Sequence, residues 1–230
     1  MKWSALFLIA TCALLRAQEA RPETTPETAA TPDPDFDPTS INLGLGGLVP
    51  ASAPYRPLTM SERGEFWFNT NFVSPRVYIR AVALTIPEHT ANSPEVWGTG
   101  PDGYAKRVGS RFGRFAIASS IEHAGSAMLG HDPRYISCRG CRSKGSRVLH
   151  AFKYTFFTYN RDGRPVPHIS HLVGQVGSEF IAAKWVPGRT WRTELAPGLI
   201  EQVSLGWVSN IAREFAPELK RVLRRKPKKP

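Results

Sequence analysis

The sequence predicts a mainly α-helical fold: a single compact multi-helix bundle with small-residue helix contacts, preceded by a disordered proline-rich segment. Helix-start signals precede several segments of the chain, and glycines and prolines separate these segments from one another. Segments with strand propensity are few. The clearest such segment, Lys153 to Tyr159, could form one strand of a hairpin before the turn-forming residues 160–163. A helix over 146–159 is favoured for this segment.

Capping signals indicate where the helices begin and end. Thr59 and Glu62 form a capping box for the first helix, and Pro75 suits the first position of a second helix, which Pro87 should end. The longest helix should end at Gly130. The expected helices span 59–72, 76–85, 101–129, 146–159, 168–184 and 197–216.

Residues 1–17 have the layout of a secretory signal peptide. Lys2 gives a positive start, Trp3 to Leu15 is apolar, and Ala17 is a small residue at the expected cleavage site. The apolar run, about 13 residues, is shorter than the roughly 20 that a spanning helix needs. A lipoprotein would use Cys12, but Thr11 is a poor residue before a lipidated cysteine. We therefore expect a protein exported to the periplasm or cell envelope, with no transmembrane span in its mature chain.

Charge and composition divide the rest of the chain. Residues 18–57 are rich in proline and carry six acids against two arginines, a charge of −4. This segment should be a disordered tether, in which Ile41 to Val49 could dock on the body. Loss of the signal peptide removes two cations and takes the net charge from +11 to +9, which leaves +13 after the tether. The helical domain is expected over 58–225, with a basic tail at 226–230.

The basic body suits an anionic partner. Anionic lipid, an envelope polymer or an envelope protein is a better partner than nucleic acid for an exported chain. The alternative is that the basic C-terminal end is simply solvated. The cations expected to contact an anionic surface are Arg221, Arg224, Arg225, Lys226, Lys228 and Lys229.

Two of the expected helices carry stripes of small residues. Such stripes let two helix backbones approach closely, so we expect the two helices to pack together at a short interaxial distance. The stripe of the longest helix includes Gly109 and Gly113, and that of helix 168–184 includes Gly174 and Gly177. On another side, the longest helix carries three arginines: Arg107, Arg111 and Arg114.

Three sequence blocks carry a resemblance. WGTGPDGY at 97–104, KRVGSRFG at 106–113 and DPRY at 132–135 resemble blocks in a group of uncharacterised exported bacterial proteins. The likeness covers most of residues 58–225. It implies export and a helical body, and it carries no activity.

Cys138 and Cys141 are the two cysteines that remain after the signal peptide is removed. In an oxidising compartment a disulfide is the simplest interpretation. A zinc site formed by His131, Cys138, Cys141 and His150 is an alternative, although structural zinc sites usually have tighter histidine spacing. A redox CxxC lacks its usual βαβ context. Haem attachment would require histidine where Arg142 stands.

Glu122 lies in the most apolar part of the longest helix, where an unpaired charge is costly. It could act as a general base near His131 and Asp132, which makes these three residues the candidate catalytic set. The structural alternative pairs Glu122 with an arginine, either Arg134 or Arg213.

His168 and His171 are three residues apart, so one helix face could present both to a metal. They also fall at the first turn of a helix, where exposed polar residues are ordinary, and this interpretation is favoured. The chain has no serine elbow, phosphate loop or dinucleotide glycine pattern. The expected function is a non-enzymatic binding or structural module of the cell envelope without a cofactor. The alternative is a hydrolase-type or metal-dependent enzyme.

Overall fold

The computed structural model describes residues 41–42 and 46–219, apart from the side chains of Ile41, Asn42 and Glu194. The expected signal peptide, residues 18–40 and the C-terminal cations lie outside the described residues. The fold is mainly α-helical, as predicted. Its helices are α1 (Met60–Phe68), α2 (Pro75–Thr90), α3 (Pro101–Leu129), α4 (Lys144–Lys153), α5 (Ile169–Ala182) and α6 (Trp191–Glu214).

The capping signals set several helix ends. Thr59 and Glu62 form the predicted capping box of α1, with both reciprocal hydrogen bonds present. A π-helical turn, Asn69–Val73, then connects α1 to α2. Helix α3 ends at Gly130, whose φ of 70° is left-handed and therefore favours glycine.

Two prolines that were expected at helix boundaries lie inside helices. Pro87 falls within α2, which continues to Thr90, and Pro197 falls within α6, which begins at Trp191 behind a Thr190 cap. Proline removes one backbone donor and does not by itself end a helix whose neighbours are well packed. The predicted boundaries at 85 and 197 were therefore wrong.

The helix predicted over 146–159 is correct only to Lys153. Strand β4 (Phe157–Tyr159) follows and pairs antiparallel with a later strand, Pro165–Pro167, named β5 below. The Thr158 hydroxyl also donates to the Asp132 carbonyl at 2.5 Å. Cross-strand pairing thus outweighs helix continuation, and the hairpin interpretation of this segment is the right one.

A small three-stranded sheet joins the N-terminal segment to the body. It contains β1 (Ile41–Asn42), β2 (Gly46–Val49) and β3 (Tyr135–Ile136), with β2 parallel to β3. Val49 is buried with Ala53 against β3. The expected docking is therefore confirmed for β2. Strand β2 thus contacts the body, and the expected bounds of the tether, 18–57, stay a prediction.

Helices α3 and α5 pack closely, as their small residues predicted. A Cβ on Gly174 would lie 2.5 Å from the carbonyl oxygen of Ala118, so only glycine fits there. The Ser126 and Ser170 hydroxyls lie 2.8 Å apart across the same contact. Gly113 does not take part, because a Cβ at this position would meet only the Trp185 ring, at 3.8 Å.

The three arginines of α3 bind different parts of the structure. Arg107 is fully buried and donates to the Ser93 and Gly98 carbonyls, at 2.8 and 2.7 Å. Arg111 forms ion pairs with Glu88 of α2 and Glu201 of α6, and Arg114 with Glu179 of α5. In the part of the chain that the structure describes, no helix is long and apolar enough to cross a membrane.

Candidate functional site

A cavity of about 180 Å³ lies between α2, α3, α5 and α6 and is bordered by β2, β3 and β4. A single water needs about 10–15 Å³, so this space can hold a small molecule. Four arginines line the cavity, whereas Glu122 is the one acid among the described lining residues. The cavity is therefore strongly cationic.

Arg76, Arg80 and Arg213 provide most of this charge. Arg76 and Arg80 are one helical turn apart on α2, and Arg213 belongs to the last turn of α6. Nη2 of Arg80 donates to Oε1 of Gln202 at 2.5 Å, and Nη1 of Arg213 donates to Oδ1 of Asn210 at 3.0 Å. The Ser209 hydroxyl also accepts a hydrogen bond from Nη2 of Arg76.

Two of these guanidinium groups converge on one point beside β2. A Cβ on Gly46 would lie 2.5 Å from Nη1 of Arg76 and 3.0 Å from Nη2 of Arg213. The φ of Gly46 is also left-handed, at +73°. Glycine at this position therefore leaves room for both guanidinium groups at the strand edge.

The three guanidinium groups disfavour one another's charge. Burial and the nearby charge of Arg213 lower the pKa of Arg76 to about 9. Burial, together with Arg76, lowers the pKa of Arg80 to about 10. Burial also lowers the pKa of Arg213 to about 10, with a further contribution from Arg80. All three remain cationic at neutral pH, so the cavity holds like charges that a bound anion would neutralise.

Glu122 faces two histidines across the contact between α3 and α5. Its Oε2 lies 2.8 Å from Nδ1 of His171, and its Oε1 lies 3.5 Å from Nε2 of His168. The two imidazole rings are stacked, with centroids 5.1 Å apart. One potential ligand atom from each of the three residues lies within 4.8 Å of the other two.

The β4–β5 hairpin and the first turn of α5 position these histidines. The His168 backbone N–H donates to the Phe156 carbonyl at 2.8 Å, which fixes the residue just before α5. One turn later, His171 lies on the same face. Gly174 brings α5 close to the backbone of α3, where a Cβ would also lie 3.3 Å from the amide nitrogen of Glu122.

The protonation states of the cluster follow from burial and proximity. Burial opposes ionisation of Glu122, but His171 and His168 keep its pKa well below the ordinary value. Burial disfavours the imidazolium form of His171, yet the adjacent Glu122 carboxylate raises its pKa. Burial lowers the pKa of His168 to about 4. The Glu122 carboxylate therefore favours the protonated form of His171, whereas His168 is neutral near neutral pH.

The catalytic set expected from sequence does not come together. Both carboxylate oxygens of Asp132 bind Arg134, at 2.9 Å to Nε and 2.7 Å to Nη2, and both side chains are buried. The Glu122 carboxylate instead contacts the imidazole rings of His168 and His171. Of the two arginines expected as partners, Arg134 binds Asp132 instead, whereas the charge of Glu122 acts to raise the pKa of Arg213. His131 is buried, and its Nδ1 has no hydrogen-bond partner among the described residues.

Cys138 and Cys141 form the predicted disulfide, with their Cα atoms 5.7 Å apart. The alternative zinc site is therefore ruled out in this structure, because both sulfurs are in the disulfide. His150, the fourth expected ligand, lies 3.0 Å from the Tyr135 hydroxyl instead. The backbone N–H of Cys138 donates to the Glu214 carboxylate at 3.2 Å.

Comparisons of the chain with protein-family models, curated protein sequences and solved structures gave no match. The resemblance to exported bacterial proteins stays a prediction. Sequence reasoning also missed Arg76, Arg80 and Gln202 as cavity residues. The signal for Arg76 and Arg80 was their i, i+4 spacing in the largely apolar first part of α2, where like charges repel each other.

Proposed function

We propose that this chain is an exported binding protein of the cell envelope, whose arginine-lined cavity takes up a small anion bearing a phosphate or carboxylate group. The observation that carries the proposal is the grouping of Arg76, Arg80 and Arg213 around a cavity with one acidic lining residue. That acid, Glu122, is itself paired with His171.

Guanidinium chemistry supports this ligand class. Arginine presents a planar set of donors that matches carboxylate and phosphate oxygens, and it stays charged when buried. Gln202 and Ser209 add neutral polar groups to the same wall. Because the cavity lies inside the protein, where the dielectric constant is lower than in water, each charge-assisted hydrogen bond to a bound anion is stronger there than at the surface.

The geometry favours binding over hydrolysis. Hydrolysis by the expected residues would require Glu122, His131 and Asp132 to converge on one substrate atom. Asp132 is instead bound through both oxygens to Arg134. Its carboxylate is therefore not available as a general base.

Calorimetric titration of the processed protein tests this function. Inorganic phosphate and succinate represent the two ligand chemistries, and glycerol is the neutral control. We expect at least one anion to bind, and the R80Q variant to bind it about 10–100-fold more weakly, since a hydrogen bond to a charged group contributes about 1.5–3 kcal/mol.

The matched control is R142Q, which removes the same charge from an exposed position outside the cavity. Equal weakening by R80Q and R142Q would show only general attraction to a basic protein. Binding of phosphate but not succinate, or the reverse, would identify the ligand chemistry. No binding of either anion at low salt would contradict the proposal.

Attachment to an anionic membrane surface is a second candidate function. The specific observation is an apolar groove on the outer face of α5, which Val173, Val176, Phe180 and Trp191 line. The first three of these side chains are exposed to solvent by 41 to 53 %. Together with the C-terminal cations expected from sequence, this face suits peripheral contact with lipid.

A further inference from the structure

We infer that Glu122, His168 and His171 form a binding site for a first-row divalent metal ion of the Zn²⁺ type. The site goes beyond anion binding, and it does not require the proposed function to be correct. It is distinct from the zinc site expected around Cys138 and Cys141, whose sulfurs form the disulfide instead.

The ligand set matches this metal class. Two imidazoles and one carboxylate, with room left for water or a ligand, are typical of zinc and related ions in open sites. Zinc bonds of about 2.1 Å in tetrahedral geometry place ligand atoms about 3.4 Å apart. The observed separations of 2.8 and 3.5 Å bracket this value, and the whole set lies within 4.8 Å.

His168 supplies the second, independent observation. Its side chain is buried, and Nε2 has no hydrogen-bond partner among the described residues. A buried ring nitrogen without a partner is costly, and the nitrogen points to within 3.5 Å of the Glu122 carboxylate. A neutral imidazole nitrogen in this position is the form that binds a metal ion.

The surrounding structure holds the three ligands in place before any metal arrives. Glu122 lies in the middle of the long helix α3, and the contact at Gly174 fixes α5 against it. The Phe156 carbonyl holds the backbone of His168. A site whose ligands are held by packed elements loses little side-chain freedom when it binds a metal.

The positive charge of the cavity opposes metal binding at this site. Arg80 and Arg213 repel a divalent cation, and Glu122 alone cannot offset that charge. The metal should therefore bind more tightly when a phosphate or carboxylate is present. This effect of the anion on metal binding rests on the proposed function.

The test is calorimetric titration of the processed, untagged protein with ZnCl₂, paired with the visible spectrum of the Co²⁺ form. We expect one Zn²⁺ per chain. E122Q and H168Q should each weaken it at least about 100-fold, because loss of an outer-shell partner alone typically costs 10–100-fold. H89Q, which removes a histidine outside the cavity, should bind as the wild type does.

Melting curves without metal show whether E122Q and H168Q fold. If one of them does not fold, H171Q replaces it in the titration. Wild-type binding by folded E122Q and H168Q, or no Zn²⁺ binding by the wild type with phosphate present, would overturn the site. If Zn²⁺ binds and is lost in the variants while phosphate has no effect, the metal site stands and the anion-binding function fails. The R80Q variant separates the two further, because without the Arg80 charge it should bind Zn²⁺ at least as tightly as the wild type while responding less to phosphate.

Discussion

Gly174 on α5 faces the backbone carbonyl of Ala118 on α3, so closely that a Cβ on Gly174 would lie 2.5 Å from the oxygen. This contact sets the distance between the two helices that carry the histidines and Glu122. Backbone cannot move aside as a flexible side chain can. The helix pair must therefore separate, or the residue must be glycine.

Replacing Gly174 by alanine should lower the free energy of unfolding by about 1–3 kcal/mol, because the added methyl group overpacks the contact. The matched control is Gly109→Ala on α3, where a Cβ would have no neighbour within 4 Å. Alanine there should be neutral or should stabilise the helix by up to about 1 kcal/mol. Denaturant unfolding measures both variants. Equal stability of G174A and G109A would contradict the close packing.

Glu214 should make stability depend on pH. The carboxylate is buried and accepts the Tyr135 hydroxyl at 2.7 Å and the Cys138 backbone N–H at 3.2 Å. Burial opposes its ionisation, but these hydrogen bonds and nearby His150 keep its pKa below the ordinary value. The unfolded chain then takes up the proton first as the pH falls. The stability that Glu214 provides is complete above its unfolded pKa of about 4.5 and is lost below it.

E214Q should therefore cost about 1–3 kcal/mol at pH 7 and progressively less as the pH falls below 4.5. The measurement is the difference in unfolding free energy between wild type and variant across pH 3–7. Glu218 gives the control, because it also pairs with Arg147 but its side chain is 46 % exposed. E218Q should cost at most about 1 kcal/mol. A constant difference between wild type and E214Q at all pH values would show that the carboxylate charge is not involved.

Arg80 should lower the stability of the ligand-free protein. Its pKa is depressed in the folded state, so the folded protein disfavours the charge that the unfolded chain carries freely. R80M keeps the length of the side chain and removes the charge. It should raise the free energy of unfolding by about 1–3 kcal/mol while weakening anion binding. Thermal melts with and without phosphate check both effects, and a variant that loses stability would contradict this account.

The C-terminal cations should attach the protein to anionic vesicles. Each lysine or arginine near an anionic surface contributes about 1 kcal/mol, and salt screens the attraction within about 10 Å at 0.1 M. Sedimentation with anionic and neutral vesicles at two salt concentrations should show binding that is anion-dependent and falls with salt. Truncation after Val222 should weaken it. Equal binding to both vesicle types would leave a protein partner as the better proposal.

Local signals predicted much of the fold. Caps at Thr59 and Gly130 were visible because capping depends on residues within a few positions of the helix end. The same reasoning erred at Pro87 and Pro197, where packing overrides a local preference. It also erred after Lys153, where the choice between helix and strand depends on pairing with residues 165–167.

The candidate site was predicted only in parts. The packing of α3 against α5 was expected, and so was the possibility that His168 and His171 share a helix face. The side of α3 that meets them depends on the rotation of each helix, which residue spacing does not define. The contacts of Glu122 with His168 and His171 were therefore not predicted, although Arg213 was expected near Glu122 and does interact with its charge. Arg213 meets Arg76 through tertiary packing alone, and sequence carries no signal for that contact.

The parallel pairing of β2 with β3 has a consequence for the order of folding. Gly46 and Gly47 border the cavity, and the next two residues of their strand, Leu48 and Val49, pair with Tyr135 and Ile136, which follow α3 far along the chain. The entropy of closing a long loop must be lost before the non-local strand contacts can offset it, so such pairings form slowly. Strand β2 is among the first described segments to leave the ribosome and should be among the last to find its partner. The chain can thus be largely helical while its cavity still lacks one wall, and binding should appear later than helix formation.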